Sequence, residues 1–345
     1  MKILISFLLV IILSPQASAL EIEAPPVPEA GIEHMPQNTG SFGDGLLELV
    51  KSVSESIRPD LAEASRVCLS ILCLHILISI LRTISASLKA AVNLAGCTLI
   101  AVTLISSANS MIRLASETIR ELSEYGKLLY PVMTTALAAQ GGITTSAALY
   151  TGTAFFNALL GSVLAQFFIP MIYCFLTISV ANRAMGEELL GKIGVGIKTT
   201  MSWCLKTLLT IFTTYMSITG VVSGTTDAVA LKATKVTIST VVPVVGGILS
   251  ETSEAVLVSA GFMKNAAGIY GILAILAVFM DPFMRIGIHY LLLKITAAAC
   301  SVLGTKEVTG VVDDFSTSMG LLLAMTGAVC LLLLFSTVCF MKGVG

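Results

Sequence analysis

Charge is what this 345-residue chain has least of: only 12% of its residues are Asp, Glu, Lys or Arg. A water-soluble domain of this size carries roughly twice that share, so an ordinary aqueous surface is excluded. The charges that are present nearly cancel, 20 basic against 21 acidic, so no global basic field exists to attract nucleic acid. Aromatic residues make up 6%, with a single Trp, and the three histidines are His34, His75 and His289. No H-E-x-x-H, no C-x-x-C and no glycine-flanked serine of the hydrolase type occurs. The eight cysteines, Cys68, Cys73, Cys97, Cys174, Cys204, Cys300, Cys330 and Cys339, stand singly in apolar runs, and they are expected to be small buried hydrophobes rather than ligands. The chain is therefore expected not to be an enzyme and to hold no cofactor or metal.

What remains is hydrocarbon. Hydrophobic residues reach 55% and the mean hydropathy is +0.93. The predicted fold class is all-α: a polytopic helical membrane protein with about seven to nine transmembrane helices, because a backbone in lipid must satisfy its amides within each span. Residues 1–19 read as a cleaved signal peptide. Lys2 is the basic start, Ile3 to Leu13 an apolar core too short to span, and Ala17-Ser18-Ala19 the cleavage motif, which places the cut between Ala19 and Leu20. Residues 20–66 are acidic and Pro/Gly-rich, and are expected to form an extracytoplasmic tail with a short surface helix at Leu46 to Leu61. The apolar face of that helix would hold Leu46, Leu47, Val50, Val53 and Ile57.

Residues 67–345 form the predicted multi-span domain. Clear spans are expected at 67–81, 90–112, 207–222, 265–281, 286–304 and 318–341. The stretch from Leu128 to Asn182 has no charged residue, and its Pro131, Gly141-Gly142, Gly152, Gly161 and Pro170 are expected to break it into two or three passes. With the tail outside, the positive-inside rule puts the Arg82/Lys89 loop and the Arg183 to Lys206 region inside. It puts the Arg113 to Lys127 loop and the Glu307, Asp313, Asp314 loop outside. Small residues around 141–161 predict close helix contact. Asp281-Pro282 has the form of a helix start, and Lys294 is expected to snorkel or to pair with an acid elsewhere.

Residues 223–265 are too polar for an ordinary span and too apolar for an exposed loop. Asp227, Lys232, Lys235, Glu254, Lys264 and Asn265 are spread through Val- and Ile-rich sequence, and Pro243 with Gly246-Gly247 interrupts the centre. Two amphipathic helices around a break fit this pattern. Such a pair is either a re-entrant element lining a conduit or contacting a partner, or a pair resting at the membrane interface.

The run Thr226 to Lys232, then Lys235, Val242 to Gly246, Ser253 to Val256 and Met263 to Ile269, resembles the stage III sporulation protein AE family, as does the layout of signal, tail and spans. The resemblance implies an integral protein of the mother-cell membrane around the forespore. It would be a subunit of a channel or secretion-like complex with other stage III sporulation A-operon proteins, including a cytoplasmic ATPase and intermembrane ring proteins. It implies no catalytic residue. The competing expectations are a stand-alone secondary transporter, which would need a paired intramembrane acid, and a passive scaffold.

Overall fold

The computed structural model describes residues 25–36, 42–84, 88–241, 246–302 and 306–342; for 220–241 and 246–265 the description is of the helical backbone alone. The expected signal peptide and its Ala19–Leu20 cut lie outside these residues. Every described element is helical. A one-turn helix α1 (Glu29–Ile32) and an amphipathic helix α2 (Phe42–Ser56) precede the long helices α3 (Arg58–Ile84) and α4 (Lys89–Ala139). Then come α5 (Ile143–Val163), a π-helical turn at Leu164–Phe168, α6 (Ile169–Met185), α7 (Glu188–Val241), α8 (Gly246–Ser301) and α9 (Lys306–Lys342). Among the described residues five helical stretches are long and apolar enough to cross a membrane: Arg58–Ile84, Lys89–Ala139, Ile143–Met185, Ala266–Ser301 and Lys306–Lys342.

Helices, not loops, run through Arg113 to Lys127, Pro131, Gly152, Gly161, Pro170 and Asp281-Pro282, where breaks were expected. Arg113 to Lys127 lies inside α4, whose 51 residues run about 75 Å, far beyond a hydrocarbon core of about 30 Å. Charge does not stop a helix; Arg113 and Glu117 pair along it at 3.3 Å with i,i+4 spacing. Pro131 also lies inside α4, where its flanking Leu129, Tyr130 and Met133 are buried. Asp281-Pro282, expected to start a helix, lies within α8, so the spans expected at 265–281 and 286–304 are one helix. A proline removes one ladder bond and crowds one carbonyl, a cost that dense packing on both sides offsets. The charge-free stretch contains the end of α4, a turn at Gln140 to Gly142 in which Gly141 takes φ 94°, and a continuous α5–π–α6 rod. That is one return pass after the turn.

The α3–α4, α6–α7 and α8–α9 connections gather at one end of the bundle. Arg82 at the end of α3 donates to Glu307 at the start of α9 (Nη1 to Oε2, 3.0 Å), and the Arg183 guanidinium fills the space a Cβ on Gly310 would need. The acidic Glu307 turn is thus on the same side as the basic Arg82 turn, not opposite it. The two turns were expected on opposite sides because α8 was read as two spans, 265–281 and 286–304.

Helix α9 is the hub: 61% of its apolar window is buried, against 22% in α3 and in α4. Its buried hydroxyls at Thr326, Ser336 and Thr337 bond back to carbonyls one turn earlier at 2.7 to 3.1 Å, which satisfies them without water. Phe212 of α7 meets Phe156 of α5 and Phe335 of α9 at ring-centroid separations of 5.4 and 5.9 Å. By contrast Leu69, Leu77, Ile80 and Leu81 on α3, and Leu99, Val102 and Ile105 on α4, are exposed in a contiguous apolar surface that water would not tolerate but lipid would. The expected close approach of small residues holds at Gly152, where the Tyr215 ring of α7 occupies the space of a Cβ and its hydroxyl donates to the Ala148 carbonyl at 3.2 Å. Cys68, Cys97, Cys300 and Cys330 are buried as expected; Cys73 and Cys174 are exposed on the outer, apolar faces of α3 and α6.

Candidate functional site

The residues singled out between 223 and 265 fall on two helices that end and begin on either side of 242–245. Asp227, Lys232 and Lys235 are on α7, and Gly246, Gly247, Glu254, Lys264 and Asn265 are on α8. Pro243 lies outside the described residues, as do the side chains of the others. Each of these two stretches continues without interruption into the rest of a long helix, α7 on the amino side of 242–245 and α8 on the carboxyl side.

Where side chains are described, ion pairs between different helices concentrate in two places. The first is the end of the bundle that holds the three connections. Here α9 carries Glu307, Asp313 and Asp314, and each is held by a cation from a different helix. Arg183 of α6 grips Asp314 with two hydrogen bonds, Nε to Oδ2 at 2.9 Å and Nη2 to Oδ1 at 3.3 Å. Lys294 of α8 donates to Asp313 at 2.6 Å, and Arg82 of α3 to Glu307. The acid expected for Lys294 is therefore in its own chain, across the α8–α9 hairpin. Sequence spacing could have found it only had the hairpin turn near 304 been recognised.

Local sequence explains why Arg183 reaches this place. Helix α6 ends at Gly186, which adopts φ 73° and whose N–H closes the last turn onto the Asn182 carbonyl at 2.8 Å. A left-handed residue there suits glycine and turns the chain directly into α7. Between α6, α7 and α9 lies a cleft of about 280 Å³ lined by Ser179, Asn182, Arg183, Lys198, Asp313 and Asp314. It adjoins a wider opening of about 640 Å³ bordered by Asn182, Arg183, Glu188, Lys192, Lys306 and Glu307. Polar side chains thus lead from the end of the bundle inward for about two helical turns. Charged groups at such depth carry a cost in lipid of several kcal/mol each unless paired or wet, and here Glu307, Asp313 and Asp314 are each paired.

The second place is the docking of the tail. His34 touches Ser52 (2.9 Å) and approaches Asp281 (3.8 Å); Asp281 pairs with Arg285 (2.8 Å), which also faces Asp60 of α3 (3.3 Å). Asp281 is therefore the centre of a clasp rather than a helix cap. Around it Leu49, Val53 and Ile57 bury against Ala277 of α8, while Leu47 and Val50 are exposed. The tail helix expected at Leu46 to Leu61 instead spans Phe42–Ser56, residues 58–61 belonging to α3, and its buried face is rotated toward the i, i+4 line of 45, 49, 53 and 57. Among the described residues no cluster of three His, Cys, Asp or Glu side chains could hold a metal ion.

The family model for stage III sporulation protein AE matches residues 33–345. The chain belongs to that family. A curated stage III sporulation protein AE from Bacillus subtilis (strain 168) is 22% identical over 232 residues, which cover 67% of this chain and 58% of that relative. No solved structure matches. A sporulation role is thereby supported for the chain, as the resemblance in residues 226–269 implied.

Proposed function

We propose that this chain is a non-enzymatic membrane subunit of a channel or secretion-like complex that links mother cell and forespore, and that forespore development requires it. The family match across nearly the whole chain carries the reading, and the five apolar helices with exposed lipid-type surfaces support its placement in a membrane. That membrane is the mother-cell membrane surrounding the forespore. Arg82, Lys89, Arg183, Lys192, Lys198 and Lys306 gather at or near the end that holds the three connections, so by the positive-inside rule this end faces the mother-cell cytoplasm. The docked tail and the helix ends that flank 242–245 then project to the other side. Six long rods, α3, α4, α5–α6, α7, α8 and α9, alternate in direction, an even number that returns the C-terminus to the tail side. The partners are other stage III sporulation A-operon proteins, with the ATPase reached at the cytoplasmic end and the intermembrane ring proteins at the helix ends that flank 242–245.

Deletion of the gene in a spore-forming host tests this. Engulfment should complete, forespore development should then stop, and a wild-type copy should restore heat-resistant spores. A copy carrying Pro243→Ala, Gly246→Ala and Gly247→Ala should insert normally yet give few spores and lose co-purification of its partners. Normal spore yield from the deletion strain, or solute transport by the purified chain alone in vesicles, would refute the proposal.

A further inference from the structure

A second cleft, away from both charge clusters, lies between α4 and the π-helical turn that joins α5 to α6. Its volume is about 360 Å³, at the small end of ligand sites and suited to a headgroup rather than to a large solute. Arg120, Glu124 and Lys127 line one wall from a single face of α4, at spacings of four and three residues. All three are exposed, and none makes an ion pair or hydrogen bond with another described residue. Asn157 and Ser123 form the floor. The Asn157 Nδ2 donates to the Ser123 carbonyl at 2.9 Å, while Asn157 Oδ1 and Ser123 Oγ are buried without a partner; Asn157 is only 2% exposed. A buried acceptor left unmade costs more than a typical hydrogen bond contributes, so its persistence calls for a donor from outside the chain.

The opposite wall is the π-helical turn, where Ile169 N–H bonds Leu164 O five residues back and Gln166 faces the cleft. Such widened turns interrupt the regular ladder and recur at functional sites. Below and above the cleft α5–α6 is uncharged from Ile143 to Asn182, and Phe155 and Phe167 are about 60% exposed. A polar notch is therefore set into an otherwise lipid-facing wall, just beyond Ile112, where the apolar run of α4 ends.

We propose that this cleft binds the head of an ammonium-bearing phospholipid: the phosphate against Arg120 and Lys127, the ammonium against Glu124 and the Asn157 Oδ1, and the acyl chains along Phe155 and Phe167. The mixed signs specify the chemistry. Two cations fit a phosphate, but a purely anionic head would meet Glu124 unscreened, and a quaternary head would offer no N–H to the buried acceptor. A primary ammonium satisfies both.

The full chain in detergent, titrated with phosphatidylethanolamine, phosphatidylcholine and phosphatidylglycerol and read by native mass spectrometry, tests the site. Phosphatidylethanolamine should be retained roughly tenfold better than the other two, the ratio expected when one charge-assisted hydrogen bond separates them. Glu124→Gln should erase the preference over phosphatidylglycerol. Arg120→Ala with Lys127→Ala should weaken retention of all three. Free phosphoethanolamine should compete poorly; competition equal to the lipid's would assign the site to a soluble phosphate and overturn the lipid reading. Equal retention of the three lipids, or an unchanged preference in Glu124→Gln, would also overturn it. A photoreactive phosphatidylethanolamine on the unmodified protein gives a test independent of variant folding. Cross-links should fall within 116–127 and 157–169, and cross-links confined elsewhere would refute the site.

Discussion

If the end of the bundle that holds the three connections is fastened through α9, then removing Asp314 should loosen it by a definable amount. Asp314 is 16% exposed and its two hydrogen bonds come from a guanidinium that is 36% exposed. Breaking a fully buried pair by deleting one partner costs about 3–5 kcal/mol, and an exposed pair is worth about 0–1 kcal/mol. The half-buried Arg183–Asp314 pair falls between, so Asp314→Ala should lower unfolding free energy by about 2 kcal/mol. Much of that is the stranding of Arg183 beside Gly310, where the guanidinium has no other described acid as near. Arg183→Met should cost less, and the double variant Arg183→Met/Asp314→Ala should lose little beyond either single change. A double-mutant cycle from detergent titrations to the unfolded state would then show a coupling of about 1–2 kcal/mol. Additivity within about 0.3 kcal/mol would refute the fastening, since the pair would then contribute nothing beyond what its members contribute separately.

Gly152→Val should destabilise the bundle by about 1–3 kcal/mol through overlap with the Tyr215 ring, and Tyr215→Ala in the same chain should recover part of the loss, read by the same titration. Asp281→Ala should release the tail. With His34, Ser56 and Arg285 deprived of their shared acid, tryptic cleavage after Lys51 should accelerate roughly tenfold, the effect of about 1.4 kcal/mol in local opening, while an unchanged rate would contradict the clasp. Lys294→Met should be milder than Asp314→Ala in the unfolding titration, because the Lys294–Asp313 pair is nearly half exposed on both sides. Cys73 and Cys174, facing lipid where a thiol stays protonated, should resist a charged maleimide as buried Cys330 does, and all three should label once the protein is unfolded; rapid labelling of Cys73 or Cys174 in the folded protein would put its face in water.

The helical class, the membrane habitat and the family were legible because they rest on composition and on runs of residues, which a linear reading captures. The continuity of helices was not. At Arg113 to Lys127 charge was taken for a loop, though the polar face of a long rod can emerge from the bilayer without bending. At Asp281-Pro282 a good helix start was taken for an actual one, though the local preference yields when Ile275, Val278 and Ile286 on both sides are wholly buried. From that single join followed the misplaced Glu307 turn and the unseen partner of Lys294. The α2 face was misread for a different reason: Leu47 and Val50 are as apolar as Leu49 and Val53, and only the position of Ala277 decides which line is covered. The cleft beside the π-helical turn leaves no sequence mark, since nothing in Leu164 to Phe168 distinguishes a widened turn from a regular one.

Sidedness is the most direct test of the whole arrangement. In a cysteine-free background expressed in vegetative cells, where the chain inserts in the outer cell membrane, single cysteines at Ile84, Leu189 and Val302, all well exposed near the three connections, and at Leu47 on the tail, would be probed in protoplasts with a membrane-impermeant maleimide. The account predicts that Leu47→Cys is labelled at once, and that Ile84→Cys, Leu189→Cys and Val302→Cys are labelled together only after the membrane is opened. Labelling of Val302→Cys in intact protoplasts while Ile84→Cys stays protected would put the two turns on opposite sides and contradict the bundle described above.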